Sequence, residues 1–336
     1  MKVVITDLTF EKLDVEEQIL ADVELIRHRG GATHDLIELV RDADCVLTQF
    51  ARVDAAVIVA MSKARAIVRY GIGVDNVDLD AARANGIPVC NIPDYCIGEV
   101  ADHTLALILA ITRAVVQNSN LIRSGAGGTR GGWALAVPID TMRALRDMTT
   151  GVVGFGRIGR EVCRRLRAFG ANVLVFDPVV PAEQISAEGC TPATLETIFS
   201  ESDLITLHCP SNPKTRGLIN RQSIARMKRG VTLINVARGD LVDSTALTEA
   251  LSNGQIGAAG LDVFAPEPIP ADSPLLKMPN VILSAHVASV STKAVRLMRE
   301  TAATIALQAI RGEKPANIVN GVSEARRVPR PSNGRV

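Results

Sequence analysis

The sequence is poor in aromatic residues: Phe, Trp and Tyr make up 3% of its 336 residues, with one Trp and two Tyr. That is too few for the stacking platform of a single-strand nucleic-acid binder. It has no excess of one charge either. The 37 Lys and Arg against 36 Asp and Glu leave a net charge of +1, which excludes the broad basic field that holds nucleic acid. Long apolar runs are missing. The longest, Ala55–Met61 and Leu105–Ile111, have seven residues each, against the ~18–20 needed to cross a bilayer. The opening stretch, Met1 to Asp7, turns acidic before it could form the apolar core of a secretory signal. The six cysteines, Cys45, Cys90, Cys96, Cys163, Cys190 and Cys209, include no Cys-x-x-Cys pair, so neither a zinc ribbon nor a dithiol redox motif is written here. In a chain of this size they read as reduced thiols. Together these absences predict a cytoplasmic protein that binds neither nucleic acid nor membrane and carries no metal.

What is present is an ordinary globular composition, 47% hydrophobic and 22% charged, long enough for about two domains at roughly 150 residues each. Short β-branched runs alternate with helical ones. In the first region Val3–Thr6, Cys45–Gln49, Ala66–Arg69 and Pro88–Ile92 read as strands, with helices over Val15–Ile26 and Ala81–Asn85. Gly98–Ile111 is apolar nearly all round, the mark of a buried helix, expected here between domains. The glycine-rich Ser124–Trp133 reads as a loop. Strands are expected again at Thr150–Gly154, Asn172–Phe176, Leu204–His208, Val231–Val236, Ala258–Asp262 and Val281–Ser284. Helices are expected at Ile158–Phe169, Leu195–Phe199, Ser223–Arg226, Ser244–Leu251 and Thr292–Ile310, before a mobile Pro/Arg-rich tail from about Arg326. Such alternation predicts an α/β protein with parallel sheets covered by helices on both faces.

Two motifs carry chemistry. The first is Gly154-Phe155-Gly156-Arg157-Ile158-Gly159, preceded by the apolar Gly151-Val152-Val153 and followed by a helix and then a strand that ends at Asp177, eighteen residues past Gly159. In that context Gly154 permits a tight turn, Gly156 lets the backbone approach a pyrophosphate, and Gly159 lets helix and strand pack closely. Asp177 can accept ribose hydroxyls and repels a 2′-phosphate, which favours NAD over NADP. It also suits a turn before Pro178, and the two roles are compatible. Arg157, inside the loop, is read as a pyrophosphate or solvent contact.

The second motif is distributed. Arg238, Glu267 and His286 each stand just past an expected strand, where open α/β sheets bind their ligands. A guanidinium fork suits a carboxylate, an imidazole can pass a proton to or from a hydroxyl, and a carboxylate beside it orients the ring and favours its charged form. Each has a structural alternative: Arg238 as a turn residue beside Gly239, Glu267 as a solvated group between Pro266 and Pro268, His286 as a packing residue.

Arg238 and His286 lie within stretches that resemble the D-isomer-specific 2-hydroxyacid dehydrogenases over about Asp42 to Asn320. The stretches are Tyr70-Gly71-Ile72-Gly73-Val74-Asp75-Asn76-Val77-Asp78, Gly98–Thr104, Thr150–Gly159, Leu207-His208-Cys209-Pro210, Asn235–Asp243, Leu261–Phe264 and His286. The resemblance implies two doubly wound parallel-sheet domains: a Rossmann NAD domain over 98–290, inserted into a flavodoxin-like substrate domain made of 1–97 and 291–336. It implies His286 as acid/base, Glu267 as its partner and Arg238 as carboxylate anchor, with backbone N–H groups at Ile72 and Gly73 as further carboxylate donors. Cofactor contacts are implied at Thr104, Arg157, Ile158, Asp177, Cys209, Pro210, Thr215, Ala237 and Asp262. Domain closure about the two crossing helices and a homodimer through 112–148 are implied as well.

One departure marks a branch. His286-Val287-Ala288-Ser289-Val290-Ser291 replaces the small glycines and Thr usual after the family's His. With Val89–Pro93 and Leu207–Cys209 it looks most like the branch of the C-terminal-binding-protein corepressors. Two functions are therefore expected as alternatives: NAD-dependent hydride exchange at C2 of a small D-2-hydroxyacid or 2-oxoacid, of the glyoxylate, hydroxypyruvate or 3-phosphoglycerate type, or an NAD-sensing corepressor-like module without significant turnover. Arg52, Lys63 and Arg69 are weighed for a phosphorylated substrate but read equally as solvated charges. The lack of a further domain after residue 336 disfavours a feedback-regulated phosphoglycerate dehydrogenase.

Overall fold

Apolar β-branched runs form the strands of two parallel sheets in this computed structural model, which describes residues 1–28, 33–125 and 135–326. Residues 126–133 of the expected glycine-rich loop and 327–336 of the expected tail lie outside the described residues. The chain divides into two compact units, one of Met1–Tyr95 with the segment from Ser291 onward, the other of Cys96–Val290.

The first unit holds β1 (Lys2–Ile5), β2 (Glu24–Arg27), β3 (Cys45–Thr48), β4 (Ile67–Arg69) and β5 (Val89–Cys90), all parallel, in the order β2-β1-β3-β4-β5. This is the flavodoxin-like order. Every residue of β3 and β4 is buried, as expected for strands covered on both faces. Helix Thr292–Arg311 lies on this sheet through Met298, Ala302, Ala303, Ile305, Ala306, Ala309 and Ile310, and the small alanines let it approach closely. Its Arg299 forms a buried ion pair with Glu16, Nη2 to Oε2 2.6 Å. The Tyr70 hydroxyl donates to Glu16 Oε1 at 3.1 Å, and burial pushes that phenol well above its ordinary range, keeping it a donor.

The expected helix over Val15–Ile26 is corrected. The helix covers Asp14–Ile19, and Glu24–Arg27 forms the edge strand β2. Pairing of Val3 with Leu25 and Val4 with Ile26 gives that backbone ladder partners on β1, and tertiary pairing overrides local periodicity. Helices Thr33–Val40 and Val115–Arg123 and a two-residue strand at Thr191–Pro192 add to the expected elements.

The second unit holds β6 (Thr149–Val153), β7 (Asn172–Phe176), β8 (Thr191–Pro192), β9 (Leu204–Leu207), β10 (Val231–Asn235), β11 (Ile256–Leu261) and β12 (Val281–Leu283), again parallel, in the order β12-β11-β10-β9-β6-β7-β8. The chain builds outward from β6 to β8, then returns to the other side of β6 and builds outward to β12. The order reverses between β6 and β9, so the crevice of a doubly wound sheet falls at their carboxyl ends. Helix Ile97–Thr112 packs within this unit, on β10, β11 and helix Arg157–Ala168. A Cβ at Gly260 would meet Leu107 Cβ at 3.1 Å and Ile234 Cδ1 at 2.9 Å, so the missing side chain is what seats the helix on the sheet. No single described helix is long and apolar enough to cross a membrane; Ile97–Thr112 and Val115–Arg123 reach that length only as a pair bent by 60°.

Candidate active site

The carboxyl end of β6 runs directly into the glycine loop. Gly154 has φ +100°, and a Cβ there would lie 2.7 Å from the carbonyl group of His208 at the end of β9. A Cβ at Gly159 would lie 2.1 Å from Gly154 O, whereas one at Gly156 would meet nothing within 4 Å. Gly154 and Gly159 thus close the turn, and Gly156 is its open side. Gly156 is also the N-cap of helix Arg157–Ala168, with no capping side chain; an uncapped first turn offers its N–H groups to an anion. Arg157 is exposed and Ile158 half-buried at that end.

Asp177 ties this loop to β7. Its Oδ2 accepts the Phe155 N–H at 2.7 Å, and its Oδ1 accepts the N–H groups of Val179 at 2.8 Å and Val180 at 3.1 Å. The carboxylate therefore serves the turn before Pro178, and being half-buried it keeps a face toward solvent. Past β9, Thr215 closes the Cys209-Pro210 turn, donating to Pro210 O at 2.6 Å and accepting Asn212 N–H at 2.9 Å. Burial pushes the Cys209 thiol up to about 11, with Asp177 adding to the effect, and pushes the His208 imidazole down to about 3. Both are neutral groups beside the loop.

The three ionisable residues stand past neighbouring strands β10, β11 and β12. His286 Nδ1 lies 2.9 Å from Glu267 Oε2. Arg238 is half-buried beside a strand-end turn, and its Nη1 donates to Ala237 O at 2.7 Å. Asn235, buried at the end of β10, shapes that turn: its Nδ2 donates to Arg238 O at 2.7 Å, and its Oδ1 accepts Ala237 N–H at 3.1 Å.

Thr104 and Asp262, both expected as cofactor contacts, are buried, and their side chains are engaged within this unit. The Thr104 hydroxyl donates to Val100 O at 2.7 Å within its own helix. Asp262 accepts from the Ser284 hydroxyl at 2.6 Å and from the N–H groups of Val287 at 3.0 Å and Ala288 at 2.9 Å. It is a scaffold for the segment that carries His286. Asn235 and Ser284 went unread in the sequence, although a polar residue at the end of an otherwise apolar strand was a visible signal.

Ile72 and Gly73 lie past β4 in the first unit, in a loop whose carbonyls are anchored: Ile92 N–H donates to Gly71 O at 3.0 Å and Asn91 Nδ2 to Ile72 O at 2.7 Å. Arg69 is not a solvated charge. It is buried, its Nη1 donates to Tyr70 O at 2.9 Å, and its guanidinium covers Gly71 and the Phe50 ring. Lys63 and Arg52 are exposed. Among the described residues no group of three His, Cys, Asp or Glu is placed to hold a metal.

The model of the family described as D-isomer specific 2-hydroxyacid dehydrogenase, NAD binding domain, matches residues 105–288. A D-3-phosphoglycerate dehydrogenase of Methanocaldococcus jannaschii is 37% identical over 327 residues, 95% of this chain and 59% of that protein. A glyoxylate reductase of Korarchaeum cryptofilum is 38% identical over 288 residues, 85% of each. The chain spans little more than half the length of the phosphoglycerate dehydrogenases it matches. Among solved structures, a D-lactate dehydrogenase from Aquifex aeolicus complexed with NAD and lactic acid superposes with a TM-score of 0.82 at 28% identity, covering 93% of this chain and 96% of that one.

Proposed function

The chain belongs to the D-isomer-specific 2-hydroxyacid dehydrogenases, and on that premise we propose that it catalyses oxidoreduction at C2 of a small D-2-hydroxyacid or 2-oxoacid with NAD as cofactor. The observation that carries this reading is the 2.9 Å contact of His286 Nδ1 with Glu267 Oε2, made past the strand ends of the NAD-binding unit. The glycine loop fits the dinucleotide: its Gly156 side is open, and a carboxylate, Asp177, ends the adjoining strand. That carboxylate favours NAD over NADP. When bound, NAD(H) supplies the hydride equivalent exchanged with C2.

The residues divide the remaining work. Arg238 binds the substrate carboxylate, for which its planar fork is suited, while Asn235 holds its main chain. Glu267 fixes the imidazole through Nδ1, so Nε2 is the atom that holds the mobile proton. In reduction Nε2 gives that proton to the carbonyl oxygen; in oxidation it takes it from the hydroxyl. Glyoxylate, hydroxypyruvate, pyruvate and 3-phosphohydroxypyruvate share the carboxylate and carbonyl that this arrangement reads.

A cytoplasmic homodimer is part of the same proposal. Helix Val115–Arg123 buries none of its residues and exposes Val115, Val116 and Ile122, an apolar face of the kind that a second copy covers. Sedimentation of the wild type and of Val116→Asp tests it, with dimer expected for the first and monomer for the second. For the activity, NADH consumption is followed with the four oxoacids, and the products are resolved by chiral chromatography. Turnover of at least one with a D-product is expected. Tight NADH binding with no turnover of any would move the assignment to a binding module.

A further inference from the structure

His286 has φ +53°, a left-handed backbone that residues other than glycine hold only where their surroundings enforce it. The enforcement comes from one residue. Asp262 accepts three successive N–H groups: that of His286 on its main-chain oxygen at 2.8 Å, that of Val287 on Oδ1 at 3.0 Å and that of Ala288 on Oδ2 at 2.9 Å. The carboxylate is itself steered. Ser284 Oγ lies 2.6 Å from Asp262 Oδ1, and His103 Nε2 lies 2.9 Å from Ser284 Oγ and 3.5 Å from Asp262 Oδ1.

Proton bookkeeping orders this chain. A hydroxyl has one hydrogen to give, and the Asp262 carboxylate, which also accepts the N–H groups of Val287 and Ala288, takes it at 2.6 Å. The lone pairs of Ser284 are left to accept, so His103 Nε2 carries a hydrogen and donates it. The direction is His103 Nε2–H to Ser284 Oγ, Ser284 Oγ–H to Asp262 Oδ1, and Asp262 to the turn of His286. Helix Ile97–Thr112, which bears His103, thereby reaches the proton-transfer residue through two side chains.

We propose that His103 and Ser284 are positioning residues for His286, acting through the Asp262 carboxylate. The inference rests on the dehydrogenase reading for its kinetic consequence and on geometry alone for the placement of the ring. His103 Nε2 is closer to Ser284 Oγ, at 2.9 Å, than to Asp262 Oδ1, at 3.5 Å, so it acts chiefly through Ser284 and the two are not independent.

The test uses His103→Leu, His103→Gln, Ser284→Ala and the double variant His103→Leu/Ser284→Ala in the full chain. Gln keeps an N–H donor near the position of Nε2; Leu keeps the bulk and removes the donor. The kcat for the best oxoacid is expected to fall about tenfold in His103→Leu and in Ser284→Ala, short of the ~10² that a 1 Å misplacement of a reacting group costs. His103→Gln should stay near wild type, NADH affinity should not change, and the double variant should be no slower than Ser284→Ala. Multiplying losses in the double variant, or a Leu variant as active as the Gln variant, would overturn the relay.

A second readout needs no turnover. The chain has five histidines, so the ring signals of His286 in a 15N-histidine-labelled sample can be assigned by their loss in His286→Ala. They are expected to shift in His103→Leu and Ser284→Ala and to hold in His103→Gln. Unmoved signals in the first two sink the positioning role. If the wild type turns over no oxoacid, the dehydrogenase reading falls and the ring signals still decide the placement.

Discussion

A Cβ at Gly239 would lie 1.9 Å from the carbonyl oxygen of Phe264. The residue after Arg238 thus touches the chain that leads from β11 to Glu267, and no side chain fits between them. Arg238, proposed as the carboxylate anchor, and Glu267, the partner of the imidazole, are held in register by this contact. Gly239→Ala is expected to destabilise the protein by about 1–3 kcal/mol, the usual cost of overpacking, and to raise KM for the oxoacid by moving Arg238. Urea midpoints and steady-state kinetics measure the two effects. An unchanged midpoint with unchanged KM would show that the backbone yields freely here.

Arg238→Lys replaces a planar fork by a point charge. The expected result is a raised KM for the oxoacid with NADH affinity intact, because Arg238 stands past β10 and not on the glycine loop. Loss of NADH binding, read by fluorescence titration, would make Arg238 a cofactor residue.

Asp177→Ala removes the acceptor that holds the Phe155 N–H at 2.7 Å as well as the charge expected to face the ribose. Hydrogen bonds to charged groups contribute about 1.5–3 kcal/mol, so NADH is expected to bind roughly ten- to a hundredfold more weakly. NADPH should lose less, because repulsion of its 2′-phosphate goes too. Paired titrations give the ratio; if it equals that of the wild type, another residue selects the cofactor.

His208 sets a pH dependence of stability. Burial pushes its imidazole down to about 3, below the ~6.5 of an unfolded chain. Between those values the unfolded chain takes up a proton that the folded one refuses. Stability therefore falls as the pH drops from about 6.5 toward 3 and is indifferent to this group above that window. His208→Gln, which keeps a hydrogen-bonding partner for Thr206 Oγ1, should lose less stability than the wild type between pH 7 and pH 4. Parallel urea midpoints in both proteins would refute the assignment.

The glycine loop and the three strand-end residues were legible because each depends on local features: a fixed glycine spacing, an apolar strand before it, a charge just after a strand. Edge strand β2 was not, since Glu24–Arg27 is a strand only through its pairing with β1. Its residues carry a helical period as well as a strand one. Thr104 and Asp262 are implied as cofactor contacts by resemblance alone; that both are buried is a property of the assembled unit and has no signal in the sequence. His103 lies in a motif that was visible in the sequence, yet its partner Ser284 is 181 residues away, and no spacing rule connects them.

The most direct measurement is NADH consumption with the oxoacid panel by the wild type and by His286→Ala, at equal NADH occupancy established by fluorescence titration. The expected result is turnover by the wild type and a kcat lower by about 10²–10⁴ in the variant, the range for loss of a general acid, with NADH affinity preserved. A variant as fast as the wild type would remove the imidazole held by Glu267 from the proton transfer and contradict the central claim.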